Sequence, residues 1–257
     1  MKNKNLDEVQ VERYSRQILI DELGLEGQLA LLNSSVLVIG CGGLGTAALT
    51  YLSMSGIGKI GVVDFDSISL SNLSRQILFT EKEIGKSKVQ IAKKKIKTIN
   101  SKTELKVFEE KISKKNIKKI FEDYKIVLDC TDNFKSRYLI NDECYSENKI
   151  LITAAIQGFD VQLFILKPWY KNLYPCYRCI FPEDKKIHQI NNCDELGVLS
   201  PVAGLGGVLQ AISTIKVIIN CNEKLFSTFH VHDTLNDVYN IFNYEKDSNC
   251  KVCNHKL

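Results

Sequence analysis

Short strand-like runs alternate along the chain with longer stretches in which apolar residues recur every three or four positions. The runs at 36–39, 60–64, 104–108, 126–130, 150–154 and 161–166 have the length and β-branched content of strands. The periodic stretches at 44–55, 86–99, 114–122 and 135–147 predict helices between most of them. Strands and helices alternating in this way predict an α/β fold, a doubly wound and mostly parallel sheet with helices on both faces.

Both ends of the chain depart from that rhythm. Residues 1–28 predict a helical arm, with Tyr14, Ile18 and Leu19 on its apolar stripe and Arg13 and Arg16 beside it. The segment 168–200 holds three of the four prolines, a Cys-x-x-Cys pair and a polar run from Glu183 to Glu195, which predicts a crossover loop. The apolar stretch 202–219 is interrupted by Gln210, Ser213, Thr214 and Lys216, so it reads as a buried or interface helix rather than a membrane span. Two strand-like runs, 225–232 and 237–243, precede a cysteine-bearing tail over 244–257. With no internal repeat and no low-complexity linker, residues 1–257 are expected to form one domain.

Composition narrows the function. A chain of 257 residues that is 44% hydrophobic and 25% charged can bury a sizeable core. Its net charge of +4 is mild, and its lysine clusters at 93–95 and 114–119 are spaced as solvated helix faces, so no nucleic-acid partner is expected. Met1 to Glu8 is polar and leads into no apolar signal region, which points to a cytoplasmic protein without a membrane partner. Nine cysteines in such a chain point to metal or thiol chemistry rather than disulfides.

The first chemical signal follows the first strand. Gly40-Cys41-Gly42-Gly43-Leu44-Gly45 fits the glycine pattern of a Rossmann-like nucleotide site; Gly40, Gly42, Gly43 and Gly45 permit a tight turn and close approach of a phosphate to a helix N-terminus. Asp64 lies near the usual spacing for an acid that accepts hydrogen bonds from ribose hydroxyls; the alternative is a strand-end Asp that caps the turn. To this point an NAD-binding oxidoreductase is the natural reading. Asn72, Arg75 and Gln76 on the following polar turn argue against it, because an Arg and amides beside a pyrophosphate site suit attack on a phosphate. Lys88 opens the next helix, where the macrodipole disfavours a cation unless it serves a bound anion. Asp129-Cys130-Thr131-Asp132-Asn133 ends an apolar strand, where open α/β sheets bind ligands. Of its two acids, Asp132 lies farther past the strand and is the better magnesium candidate, leaving Asp129 structural.

Cysteines supply the second signal. Cys176-x-x-Cys179 and Cys250-x-x-Cys253 have the spacing of a closed structural zinc site; a redox dithiol or chance pairing are the alternatives. Cys41, Cys130, Cys144 and Cys221 read as packing residues. Cys193 stands in the polar run, where the chemistry leaves a reactive thiol and a bystander equally open.

In this order and combination the motifs resemble the bacterial adenylyltransferases of the ubiquitin-activating superfamily that activate sulfur-carrier proteins, the ThiF and MoeB families. The resemblance rests on Arg13-Tyr14-Ser15-Arg16-Gln17-Ile18-Leu19, the glycine turn, Asp64-Phe65-Asp66 and Leu70 to Gln76. It extends through Gly85-Lys86-Ser87-Lys88, Asp129 to Asn133, both Cys pairs and Gly197-Val198-Leu199-Ser200-Pro201. It implies ATP-dependent adenylylation of the C-terminal Gly-Gly carboxylate of a small ubiquitin-like carrier. Arg75 and Lys88 would stabilise the transition state, Asp132 would hold Mg2+, Asp64 and Asp66 would belong to the nucleotide site, and Asn72 and Gln76 would position phosphates. Arg16 would reach the site from the neighbouring subunit of a homodimer, and Cys193 could form an acyl disulfide with the activated carrier.

The N-terminal motif and Ile152 to Phe159 look closer to ThiF, which implies a ThiS-like carrier and thiamine synthesis; the alternative is a MoaD-like carrier for molybdopterin. Because the sequence stops soon after the second Cys pair, the resemblance implies a separate sulfur donor, such as a cysteine desulfurase. A non-catalytic zinc scaffold would have no use for Arg16, Arg75, Lys88 and Asp132.

Overall fold

A computed structural model describes residues 6–170, 174–183 and 197–254. Five strands, β1 (Ser35–Ile39), β2 (Lys59–Val63), β3 (Glu104–Phe108), β4 (Ile126–Asp129) and β5 (Ile150–Gln157), pair in parallel. β6 (Asp160–Leu166), β7 (Thr228–Asp233) and β8 (Val238–Asn243) extend the same sheet antiparallel, giving the order β3-β2-β1-β4-β5-β6-β7-β8. β1, β2 and β4 are buried almost end to end because helices cover both faces, as parallel strands require.

One face packs Val36, Val38, Ile60, Val62 and Leu128 under α3 (Gly43–Met54), α4 (Lys88–Ile99) and α8 (Ser200–Ile218). The other packs Leu37, Ile39 and Val127 under α5 (Ile117–Phe121) and α6 (Phe134–Ser146). The one-turn α7 (Tyr177–Ile180) adds Tyr177 to that second face. α8 is long and apolar enough to cross a membrane, but half of that stretch is buried against α3, β5 and β6. It is the buried helix that its internal polar residues predict.

The helical arm is two helices rather than one. α1 (Glu8–Ile18) starts at a capping box made by Asp7 and Gln10, and α2 (Gly24–Leu32) begins at Gly24, whose φ of +56° breaks the run. α1 docks at the amino-terminal end of the parallel strands. There Tyr14 Oη accepts from Asn100 Nδ2 at 2.8 Å, and the same amide donates to the Ser53 carbonyl. Gln28 Nε2 donates to the Ser55 carbonyl at 2.9 Å. Two other elements are shorter than predicted. Gly85 at φ +83° holds residues before Lys88 in a turn, and Asn116, accepting from Ser113, keeps the preceding residues out of α5. Before β7, residues from Glu223 form a 3-10 turn, so the strand starts three positions later than the sequence suggests.

Candidate functional site

β1 leads to β2 on one side while its other neighbour is β4, so the chain diverges at the carboxyl ends of β1 and β4 and leaves a crevice there. Two glycines allow it to close tightly at the base. Gly40 has φ +97°, and a Cβ on it would meet the Cys130 carbonyl oxygen at 2.6 Å. A Cβ on Gly45 would lie 1.9 Å from the Gly40 carbonyl oxygen, so any larger residue would push α3 off the strand end.

The crevice holds a cavity of about 270 Å3. Gly40, Gly42, Gly43, Asp64, Asp66, Asn72, Arg75, Gln76, Lys88 and Asp132 all line it. Gly45 does not, and its part is the close packing of α3. The sequence reading did not single out Arg137, which also lines the cavity and is buried, with Nη2 donating to the Thr131 carbonyl at 2.9 Å. Its signal was the same as that of Lys88, a cation in the first turns of a helix.

Hydrogen bonds set the electrostatics. Asp64 accepts from the backbone N–H of Cys41 at 2.6 Å and of Asp66 at 2.8 Å, so it caps the glycine turn while bordering the cavity. Burial pushes its carboxyl above the usual range, against the opposing pull of those two N–H groups and Lys88. Lys88 is only 5% exposed, and its ammonium lies 2.9 Å from Asp66 Oδ2. Arg75 Nη1 donates to the Ser71 carbonyl. Gln76 is 3% exposed, and its buried Oε1 has no hydrogen-bond partner among the described residues, which suits an amide that waits for a ligand. The N-terminus of α3 has no side-chain cap, so its N–H groups face the cavity rim. α6 is capped by Asn133, which accepts from Ser136 N at 2.9 Å.

The two acids at the end of β4 differ in burial. Asp129 is wholly buried and accepts from Thr131 N, Thr131 Oγ1 and Thr153 Oγ1. Asp132 is exposed on the cavity wall, with Oδ1 accepting from Asn133 Nδ2. A carboxylate in that place beside Arg75 and Lys88 fits Mg2+, which takes one or two carboxylates, keeps several waters and binds phosphates.

A second cluster brings Cys176, Cys179, Cys250 and Cys253 together, with all four sulfurs within 4.8 Å of one another. Sγ separations of 3.3 Å (Cys179 to Cys253), 3.6 Å (Cys176 to Cys250) and 3.9 Å (Cys176 to Cys179) leave the thiols unlinked. Tetrahedral Zn2+ at about 2.3 Å from each sulfur needs neighbouring sulfurs about 3.8 Å apart, so the set fits a closed zinc site. α6 supports it: Asn141 Oδ1 accepts from Tyr177 N, and Asp142 takes Arg178 through both carboxylate oxygens at 2.7 and 2.8 Å.

Arg16 is not part of this cavity. It lies exposed on α1, at the opposite end of the parallel strands. His230 bonds to Thr228 and Tyr239 within the terminal strands, consistent with a structural role. Cys193, His188 and His255 lie outside the described residues.

A family model described as the ThiF family matches residues 14–252. The adenylyltransferase and sulfurtransferase MOCS3 of Aedes aegypti is 38% identical over 249 residues, 96% of this chain and 56% of that one. The MOCS3 protein of Dictyostelium discoideum is 37% identical over 258 residues, 100% of this chain and 60% of that one. The chain thus spans little more than half the length of these relatives. Among solved structures, E. coli MccB with ATP matches with a TM-score of 0.80 and 26% identity, over 98% of this chain and 75% of that one. The glycine turn, the paired cations and the four-cysteine cluster therefore stand in a chain that belongs to the ThiF family.

Proposed function

We propose that the protein uses ATP to adenylylate the C-terminal Gly-Gly carboxylate of a small ubiquitin-like sulfur-carrier protein, with release of pyrophosphate. The observation that carries this reading is the convergence of Arg75, Lys88 and Asp132 on one cavity at the uncapped N-terminus of α3. Family membership supports it. So do a relative whose name joins adenylyl transfer to sulfur transfer and a similar fold solved with ATP.

The carrier's carboxylate is already ionised at neutral pH, so its oxygen attacks the α-phosphorus without a general base. A bond forms from that oxygen to phosphorus, and the bond from the α-phosphorus to the bridging oxygen breaks, with its electron pair leaving on pyrophosphate. The barrier is the charge gathered on a crowded phosphate, and preorganised cations lower it most. Arg75 and Lys88 supply that charge, while the N–H groups opening α3 add partial positive charge without reorganisation. Asn72 and Gln76 position phosphate oxygens, and Asp64 and Asp66 hold the turn and border the ribose. Asp132 would hold Mg2+, whose chemistry when bound is to neutralise phosphate charge and ease departure of pyrophosphate. The four thiols would hold a structural Zn2+ that pins the C-terminal tail to α7 and α6.

Arg16 would complete the site of a second copy, which makes a homodimer the working unit. Its position at the closed end of its own sheet supports this reading, because it is remote from its own cavity. The sequence motifs favoured a ThiS-like carrier of thiamine synthesis. The MOCS3 relatives shift the preference to a MoaD-like carrier of the molybdopterin type. Sulfur would come from a separate donor such as a cysteine desulfurase, with Cys193 as the thiol that could receive the activated carrier.

The test is pyrophosphate–ATP exchange with purified MoaD-like and ThiS-like carriers in parallel. Exchange dependent on an intact Gly-Gly terminus, and faster with the MoaD-like carrier, is expected. A folded, zinc-loaded protein that exchanges with neither carrier would reject adenylylation, and faster exchange with the ThiS-like carrier would restore the thiamine assignment.

A further inference from the structure

α8 is apolar along most of its length, yet Gln210 stands near its centre with no exposed surface. A buried amide is costly unless its polar atoms are matched. Those of Gln210 are matched, and all at one place. Nε2 donates to the carbonyl oxygens of Asp129 at 2.9 Å and Ile152 at 3.2 Å, and Oε1 accepts from the Cys130 thiol at 3.2 Å.

That place is the end of a ladder. The pairing of β4 with β5 stops at Asp129 opposite Thr153. Cys130 then turns toward β1, its N–H donating to the Ile39 carbonyl at 2.8 Å. On the β1 side the Cys130 carbonyl lies against Gly40, where an added Cβ would come within 2.6 Å of it. Cys130 is therefore gripped from two directions, by the glycine turn and by an amide from a helix on the sheet face. The next three residues, Thr131, Asp132 and Asn133, all line the cavity.

We propose that Gln210 is a positioning residue for the adenylylation site, bracing the end of β4 so that Asp132 is presented to Mg2+ and the phosphates. The inference rests on the proposed function. The requirement is specific to an amide. Leu fills a similar volume but removes all three hydrogen bonds, and a shifted strand end moves Asp132. Packing alone would ask only for an apolar side chain, as at the neighbouring Ala211, and would not place three hydrogen bonds on one strand end.

The experiment uses the full-length, zinc-loaded protein without carrier and reads two quantities that are independent of turnover. Hydrogen exchange of peptides covering residues 128–134 is measured in nucleotide-free protein, and affinity for ATP is measured by calorimetry with and without Mg2+. Gln210→Leu should speed exchange in 128–134 by about tenfold while β1 and β2 stay protected, and should weaken Mg-ATP binding by about tenfold, with a smaller loss for ATP alone. Gln210→Asn keeps the amide but is one methylene too short to reach both carbonyls. It should fold even if Gln210→Leu does not, and should show the same local pattern more weakly. Variants that are merely less stable, with exchange raised evenly through the sheet and unchanged Mg-ATP affinity, would overturn the inference alone. A wild-type protein that binds no Mg-ATP would overturn the proposed function and this inference together.

Discussion

At the carboxyl ends of β1 and β4 the sheet opens onto a cavity rimmed by cations and uncapped backbone, whereas at the amino-terminal end of the parallel strands it is sealed by Tyr14, Gln28 and Asn100. The difference begins with the polarity that a parallel sheet imposes on its helices, which all start at one end and all finish at the other. At the sealed end the last helical carbonyls are met by side chains of the protein itself: Ser53 and Ser55 at the end of α3 by Asn100 and Gln28, and Ile99 at the end of α4 by Arg13. At the open end α3 starts on glycine without a side-chain cap, and the donors of its first turn are left for a ligand. The fold thus closes one pole with its own side chains and leaves the first turn of α3 open at the other.

Three experiments test that division, in falling order of effect. Asp132→Ala, at the open pole, should cut carrier-dependent exchange by about a hundredfold or more while leaving the melting temperature unchanged, because its side chain is exposed and supports no buried contact. Unchanged exchange would remove Asp132 from the metal. A smaller effect, but one that crosses the poles, comes from mixing Arg16→Ala and Asp132→Ala chains, each inactive alone. Random subunit exchange should restore about a quarter of wild-type activity, since half the dimers carry one intact composite site. Failure to recover any activity would show that Arg16 does not serve a neighbour. Smallest is Tyr14→Phe at the sealed pole, which takes one acceptor from Asn100. It should cost about 1 kcal/mol in denaturant unfolding and leave Mg-ATP affinity unchanged. A change in affinity would show that the two poles are coupled.

The strands at the centre of the sheet were readable because burial on both faces leaves a continuous apolar run: β1, β2 and β4 fall within a residue or so of the sequence reading. The glycine turn and the cations that line the cavity stood out for a different reason, since glycines and cations placed against their local preference need an explanation. What escaped depends on backbone angles or on contacts distant in sequence. The break between α1 and α2 hangs on the left-handed Gly24, and the late start of α4 on Gly85. Gln210 was visible only as a polar interruption in an apolar helix, because its partners lie 58 to 81 residues away. The four cysteines were legible as two knuckles, but their support by Asn141 and Asp142 of α6 was not, because nothing in the sequence marks those residues as neighbours of Tyr177 and Arg178.

The Lys88–Asp66 pair has a consequence for what the cavity accepts. Lys88 is not waiting for an anion in water; buried itself, it already holds the half-exposed Asp66 carboxylate at 2.9 Å. An ammonium has three donors, so an arriving anion can bind Lys88 beside Asp66, against the repulsion of that carboxylate. Chloride or a lone monoanion brings a single charge against that repulsion and gains little. A triphosphate chain brings several charges at once and can engage Arg75 and the α3 N-terminus in the same event. The pair thus favours ligands that carry several charges over weak anions.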